Sequence, residues 1–321
     1  MSIPNANDQA SHLPGPKANA AMSGQLLAGV ELGGTKCVCI LGTGPDAVIA
    51  QERIDTTDPE TTLSGIERVL ADWREVHGLP AALGIATFGP VELRHDSPRW
   101  GHITSTVKPG WPGAAVAPRL GRLLGVPVGL DTDVNGAALA EGRWGAARGL
   151  DDFAYITVGT GIGAGLVVDG RTVLGFTHPE LGHIRVARAA GDDWHGSCAF
   201  HGDCIEGLAS GTAIEARLGV AASRLDAEHP VWGLVVHGLA QLLHNIVLAT
   251  APKRILLGGG VMTAQTHLFP RLRAELQRSL AHYVDAEELQ SGIEDFIVPP
   301  GLGAMAGPLG AMALAADAAK A

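Results

Sequence analysis

Residues 26–32 read Leu-Leu-Ala-Gly-Val-Glu-Leu, an apolar run too short for a helix and suited to a strand. Gly33, Gly34 and Thr35 interrupt it, and Lys-Cys-Val-Cys-Ile-Leu follows as the return strand. A third strand is predicted over 48–54. Asp58 and Pro59 then supply a helix start, and Leu63, Ile66, Leu70 and Trp73 recur at helical spacing as its buried stripe. The apolar run 82–88 predicts an interior strand ended by Gly89-Pro90. From 91 to 112 no period survives, and a long irregular segment of this kind predicts a lid or a substrate wall. A helix over 116–124, a strand over 126–130 and a helix over 136–144 follow, with Asp131-Thr-Asp-Val-Asn135 joining the last two.

The opening pattern then returns. Residues 153–158 predict a strand, Gly159-Thr-Gly-Ile-Gly163 a turn, and 164–169 a return strand. This internal repeat, weak in letters, predicts two domains of one plan. Helices are predicted over 205–218, 232–249 and 269–283. A short strand, Arg254-Ile-Leu-Leu, delivers Gly258-Gly-Gly260, and a last helix begins near 304.

Composition narrows the class. Of 321 residues, 46% are hydrophobic, only 4% are aromatic, and 44 are Gly, which favours an α/β protein with Ala/Leu/Val cores over an all-β sandwich. The formal net charge of -10 argues against a nucleic-acid partner. It leaves phosphorylated ligands open, because backbone N–H groups hold phosphate without net positive charge. The four cysteines, Cys37, Cys39, Cys198 and Cys204, form no secreted disulfide framework; Cys37 and Cys39 share one strand face as buried thiols. Residues 1–24 mix polar and small residues without an apolar core and are expected to be a disordered tail, not a targeting peptide. No apolar run is expected to span a membrane, so a cytoplasmic protein without a membrane partner is expected.

Three features carry chemistry. Cys198, His201 and Cys204 stand three apart in a Gly- and Asp-bordered loop, a spacing that suits one zinc ion, with His183 or His195 as the fourth ligand. Glycine-rich turns follow strands at 33–34, 159–163 and 258–260, where absent Cβ atoms let N–H groups close on an anion. Two of them adjoin Thr and face each other across the repeat, which points to a nucleotide. Asp131 and Asp133 lie at a strand end. Either could cap the next helix, and one of them could serve as the base that phosphoryl transfer to a hydroxyl requires.

Together these residues resemble the ROK family of repressors, open reading frames and sugar kinases. The resemblance rests on Glu31-x-Gly-Gly-Thr-Lys36, Asp131-Thr-Asp-Val-Asn135, Val158-Gly-Thr-Gly-Ile-Gly163, Glu180-x-Gly-His183, the Cys/His loop and Leu257-Gly-Gly-Gly-Val261, in that order. Thr106-Val-Lys108-Pro-Gly-Trp111 and the Cys-x-x-His-Gly-Asp-Cys loop are most similar to bacterial zinc-containing fructokinases. The polar stretch before Leu26 is not expected to supply the helix-turn-helix of the repressors. The resemblance implies a two-domain actin-like, ribonuclease-H-like ATPase/sugar kinase fold. A small domain would cover 25–130 with the terminal helix 300–321, and a large domain 131–299. It implies Asp133 as catalytic base and sugar contact. Gly33, Gly34, Thr35 and Lys36 would form the first phosphate loop, and Gly159, Thr160 and Gly161 the second. Thr212 and Gly258, Gly259, Gly260, Val261 and Met262 would line the nucleotide. Glu180 and His183 would hold sugar hydroxyls, with His183 doubling as zinc ligand beside Cys198, His201 and Cys204. ATP, Mg2+ and Zn2+ are the implied cofactors and a homodimer the implied assembly. Glu31 stands where many members have Asp. Thr132 stands where glucokinase members have a sugar-binding Asn, which favours fructose over glucose. Mannokinase, glucokinase or N-acetylhexosamine kinase activity on the same scaffold, and a non-catalytic sugar sensor, are the alternatives.

Overall fold

The computed structural model describes residues 24–321, so the tail expected over 1–24 lies, up to residue 23, outside the described residues. One sheet holds β1 (Leu27–Leu32), β2 (Lys36–Gly42), β3 (Val48–Asp55), β4 (Ala82–Thr87) and β5 (Val128–Thr132), in the order β3-β2-β1-β4-β5. A second holds β6 (Phe153–Val158), β7 (Ile162–Val168), β8 (Arg171–Thr172), β9 (Ile255–Gly258) and β10 (Ile297–Val298), in the order β10-β9-β6-β7-β8. Each sheet starts with an antiparallel hairpin and continues on the other side of its first strand with parallel strands. The repeat read from the glycine turns is therefore a repeat of topology.

The helices are α1 (Pro59–His77), α2 (Val116–Leu124), α3 (Asp133–Trp144), α4 (Ile205–Ala209), α5 (Gly211–Leu218), α6 (Val231–Thr250), α7 (Gly259–Ala264), α8 (Leu268–Leu280), α9 (Ile293–Phe296) and α10 (Ala306–Ala318). Asp58 caps α1 by accepting from the Thr61 N–H at 3.0 Å, and Leu63, Ile66 and Leu70 are buried as expected, with Val69 beside them. Helices α1 and α2 cover one face of the first sheet. Helices α6 and α8 cover one face of the second.

Four boundaries differ from the pattern. Strand β5 begins at Val128, after Pro127, which has no N–H for the ladder, and runs on to Thr132. Helix α3 then starts at Asp133 and not at 136, because the Thr132 hydroxyl caps it through the Asn135 N–H at 3.2 Å. The helix expected over 205–218 divides at Ser210, whose extended backbone ends α4 and whose hydroxyl caps α5. Gly258–Gly260 opens α7 instead of forming a free turn. Helix α6 also departs from expectation. By length and composition it is apolar enough to cross a membrane, yet most of it is buried in the core beside α8.

Helix α10 is apolar on every side and is buried from Ala306 to Ala316 with only Gly307 as a gap. It lies between the first sheet and α3, and α3 in turn packs on β6 and β7. The approach is backbone to backbone. A methyl group on Gly84 would stand 1.8 Å from the Ala311 carbonyl oxygen, and one on Gly310 would stand 2.3 Å from the Gly136 carbonyl carbon. Where the chain returns from the second sheet to α10, Glu141 of α3 is fully buried and accepts three backbone N–H bonds. They come from Ala146 at 2.7 Å, Gly301 at 2.9 Å and Leu302 at 2.8 Å. Leaving these part-buried donors unpaired and a cavity where the buried carboxylate stood costs together roughly 1–3 kcal/mol or more. Glu141→Ala should therefore lower the unfolding free energy in urea by roughly 1–3 kcal/mol or more. A loss within about 0.5 kcal/mol would show that water replaces the carboxylate without penalty.

Candidate active site

Between β5 and α3 the two aspartates separate. Asp131 is buried and fully engaged: it accepts from the Thr132 N–H and the Asn135 side chain, both at 2.7 Å, and from the Thr172 hydroxyl at 2.9 Å. Asp133 is the first residue of α3, where the helix dipole favours an anion. It accepts from the Val134 N–H at 2.9 Å, and no side chain donates to it among the described residues. Burial raises its pKa to about 6, only partly opposed by that N–H.

Two further carboxylates sense Asp133. Glu31, at the end of β1 before the first glycine turn, is pushed to about 7 by burial and then by the Asp133 charge, against the pull of Lys36. Glu180 is pushed to about 7 by burial, then by Asp133, then by Glu206. Asp133 thus stands electrostatically between the first glycine turn and Glu180.

The glycine turns and their partners assemble as follows. In the first turn Gly33 N–H closes on the Lys36 carbonyl at 3.0 Å, with Thr35 and Lys36 exposed beside it. In the second, Gly159 N–H bonds the Gly161 carbonyl at 2.9 Å. The N–H groups of Gly211 and Thr212 reach the carbonyls of Gly159 and Thr160 at 2.7 and 3.4 Å. Gly259 has φ +88° and no room for a Cβ beside Val158, and Gly260 N lies 3.7 Å from the Cβ position of Gly159. Gly159, Thr160, Gly161, Thr212 and Gly258–Gly260 therefore adjoin one another, with Val261 and Met262 buried behind them in α7.

The segment 91–112 is irregular but anchored at several points, with Val91, Ile103 and Trp111 buried and much of the rest exposed. Bridges pair Val91 with Ile103 and His102 with Ala115, and the buried Trp111 indole donates to the Thr57 carbonyl at 2.8 Å. Two residues beyond the expected set emerge here. His178 is buried, and its Nε2 accepts from the Val91 N–H at 3.1 Å, which leaves the proton on Nδ1, 3.4 Å from Glu180 Oε1. Lys108 donates to the Gly34 carbonyl and lies 5.6 Å over the Phe88 ring. His178 stands two residues ahead of Glu180 in the chain, a spacing without meaning until the fold brings Val91 alongside. Glu206, two residues after Cys204, is a third: its carboxylate accepts from the Ile162 N–H at 3.0 Å.

The side chains of His183, Cys198, His201 and Cys204 converge, with one ligand atom from each lying within 4.8 Å of the others. Cys198 Sγ is 3.7 Å from both His183 Nδ1 and His201 Nδ1, and Cys204 Sγ is 3.6 Å from His183 Nδ1. Tetrahedral zinc with bonds of roughly 2.0–2.3 Å requires ligand atoms about 3.3–3.8 Å apart, so these donors fit in kind and these three separations in spacing. His195, the other histidine open to that role, stacks beside Trp194 and is not among the four.

Two sheets of one topology, each with a glycine turn after its first strand, are the plan of the actin-like class of ATPases and sugar kinases. The ROK family pattern matches residues 27–318, and the chain belongs to that family. It is 40% identical to a fructokinase of Zymomonas mobilis, over 89% of this chain and 95% of that protein. It is 38% identical to a fructokinase of Pediococcus pentosaceus, over 92% and 99%. Among solved structures it is similar to a ROK hexokinase from Thermus thermophilus, with TM-score 0.72 and 28% identity, over 90% of this chain and 97% of that one.

A carboxyl whose folded pKa exceeds its unfolded value penalises the fold when it ionises. For Asp133 the penalty is absent below about 3.8, grows as pH rises, and is complete above about 6. Asp133→Asn should accordingly melt above the parent at pH 8, with the gap closing by pH 4. Melting curves that run parallel across that range would rule out the buried-acid description.

Proposed function

We propose that this protein transfers the γ-phosphoryl group of ATP to D-fructose, giving fructose 6-phosphate and ADP. The observation that carries the reading is Asp133: a cleft carboxylate at a helix start, between the first glycine turn and Glu180, with its pKa raised to about 6. Such a group is mostly ionised at neutral pH yet accepts a proton more readily than an ordinary aspartate. The fructokinase relatives support fructose as the acceptor.

In this reading Gly33, Gly34, Thr35 and Lys36 hold phosphate from one side, and Gly159, Thr160, Gly161 and Thr212 from the other. Gly258, Gly259, Gly260, Val261 and Met262 lie along the adenosine. Glu180 and His183 hold sugar hydroxyls, and Asp133 takes the hydroxyl proton as oxygen attacks phosphorus. Magnesium carried with ATP would bridge its phosphate oxygens, with Glu31 the nearby carboxylate toward it. Residues 25–130 with 300–321 form the small domain and 131–299 the large one, and closure of the two would keep water from the phosphoryl group.

His183, Cys198, His201 and Cys204 would hold zinc, whose charge keeps the two thiols ionised and the four side chains in one geometry. With Nδ1 turned to the thiols, His183 leaves Nε2 for the sugar. The metal-bearing segments also grip the second phosphate turn. Glu206, two residues after Cys204, holds the Ile162 N–H, and Gly182, beside His183, packs so close to the Ile162 carbonyl that an added methyl would stand 1.9 Å from its oxygen. A zinc ion joining His183 to Cys204 would draw both sides onto Ile162.

A pure sugar sensor has no use for the base, which disfavours that alternative. Asp133→Ala should lower turnover by roughly 10²–10⁴-fold while fructose still binds in calorimetric titration; a variant with parental turnover would refute the assignment. Fructose should also turn over faster than mannose, glucose, N-acetylmannosamine or N-acetylglucosamine in an ADP-release assay, and preference for another sugar would move the substrate but not the site. Chelating the zinc should weaken binding of the ATP analogue AMPPNP several-fold even without sugar, in protein that keeps its circular dichroism spectrum. An unchanged affinity would mean that packing alone holds the Ile162 turn.

A further inference from the structure

The cleft is rich in acid. The Asp133 charge acts on both Glu31 and Glu180, while the nucleotide read into the site is itself strongly anionic. Some fixed positive charge must offset the negative charge that concentrates at the transferred group. Two lysines flank the first glycine turn. Lys36 is exposed at the start of β2. Lys108 is different: it is half-buried, arises from the 91–112 wall, and has no carboxylate in salt-bridge range among the described residues.

Its backbone is fixed, because its N–H donates to the Thr106 hydroxyl at 3.3 Å, its carbonyl accepts from the Trp111 N–H at 3.2 Å, and Trp111 is buried. Its ammonium is held only by neutral partners, the Gly34 carbonyl and the Phe88 ring. Both are weaker partners for a cation than an anionic oxygen. Gly34 belongs to the first phosphate turn. Phe88 precedes Gly89, whose Cβ position lies 3.3 Å from Glu180 Oε1. The lysine tip therefore stands where the phosphate side of the cleft meets the sugar side, which is where a γ-phosphoryl group in transit must be.

We propose that Lys108 is a catalytic residue that exchanges the Gly34 carbonyl for the non-bridging oxygens of the γ-phosphoryl group. The inference rests on the kinase reading above. In the step the sugar oxygen bonds to the γ-phosphorus, the bond from that phosphorus to the β–γ bridging oxygen breaks, ADP departs with the electron pair, and Asp133 keeps the hydroxyl proton. Lys108 gives up no proton; its charge and N–H groups follow the phosphoryl oxygens across. Burial lowers its pKa, as expected for an ammonium kept short of counter-charge until an anion arrives.

The competing account is that Lys108 merely pins the wall to the turn. Lys108→Gln retains an N–H donor for Gly34 without the charge, and Lys108→Arg retains the charge. In Lys108→Gln and Lys108→Ala, kcat should fall roughly 10²–10³-fold. AMPPNP affinity should fall about tenfold or more while ADP affinity stays near parental, since only the triphosphate analogue presents the third phosphate. Lys108→Arg should recover part of both. Equal weakening of ADP and AMPPNP, or a Gln variant with kcat within about threefold of the parent, would reduce Lys108 to a pin and overturn the proposal. If the parent binds neither nucleotide, the kinase reading itself fails. That result is distinct from a parent that binds both without discriminating through Lys108.

Discussion

Helix α10 can approach the first sheet and α3 only because side chains are missing from the contact. With the Gly84 Cβ position 1.8 Å from the Ala311 oxygen, and that of Gly310 2.3 Å from Gly136, no substituent fits between the backbones. The close approach fixes α3 against α10, and α3 also lies on β6 and β7 of the second sheet. One helix is thereby seated by both sheets. Its first residue is Asp133. The placement of the cleft carboxylate therefore follows from glycine-mediated packing well away from any ligand, and the fully buried Glu141 locks the same helix to the returning chain.

The chemistry of the cleft works against the stability of the fold. Burial raises the pKa values of Glu31, Asp133 and Glu180, and the Asp133 charge adds to the rise at Glu31 and Glu180. Asp131 shows the contrast: also buried, it is offset by three donors and is spent on structure. Acceptor capacity left open at Asp133 is what a base requires, and a purely structural carboxylate would have been satisfied as Asp131 is. His178 serves the same economy of position by joining the wall at Val91 to Glu180 while remaining neutral, its pKa lowered by burial.

The Cys/His cluster is tied into the cleft instead of hanging from it. The Ile205 N–H bonds the Ile184 carbonyl at 3.1 Å, Arg185 bridges to Cys204, and Glu206 continues to the Ile162 turn. Its side chains come from two segments, 180–183 and 198–204, the first of which also holds Glu180. A loop with free thiols would need none of this registration.

The hairpins, the Asp58 cap, the stripe of α1, the glycine turns and the Cys-x-x-His-x-x-Cys spacing were legible in the chain because each depends on residues close in sequence. The ROK pattern added the order of the motifs and, with it, the family. Local pattern also misjudged four places: the start of β5 after Pro127; the start of α3, where the Thr132 cap outweighed the expected boundary; the break at Ser210; and the start of α7 at Gly259. Spacing alone left open which aspartate is free and which histidine joins the cysteines, where only the resemblance pointed to Asp133 and His183, and it gave no sign that His178, Glu206 and Lys108 reach residues far from their chain neighbours. Those answers depend on contacts 15 to 87 positions apart, as in His183 with Cys198, Thr172 with Asp131, Glu206 with Ile162, Lys108 with Gly34, and His178 with Val91. Periodicity and spacing report only what neighbours along the chain do, so the elements were set by the sequence and the satisfaction of each polar group by the tertiary fold.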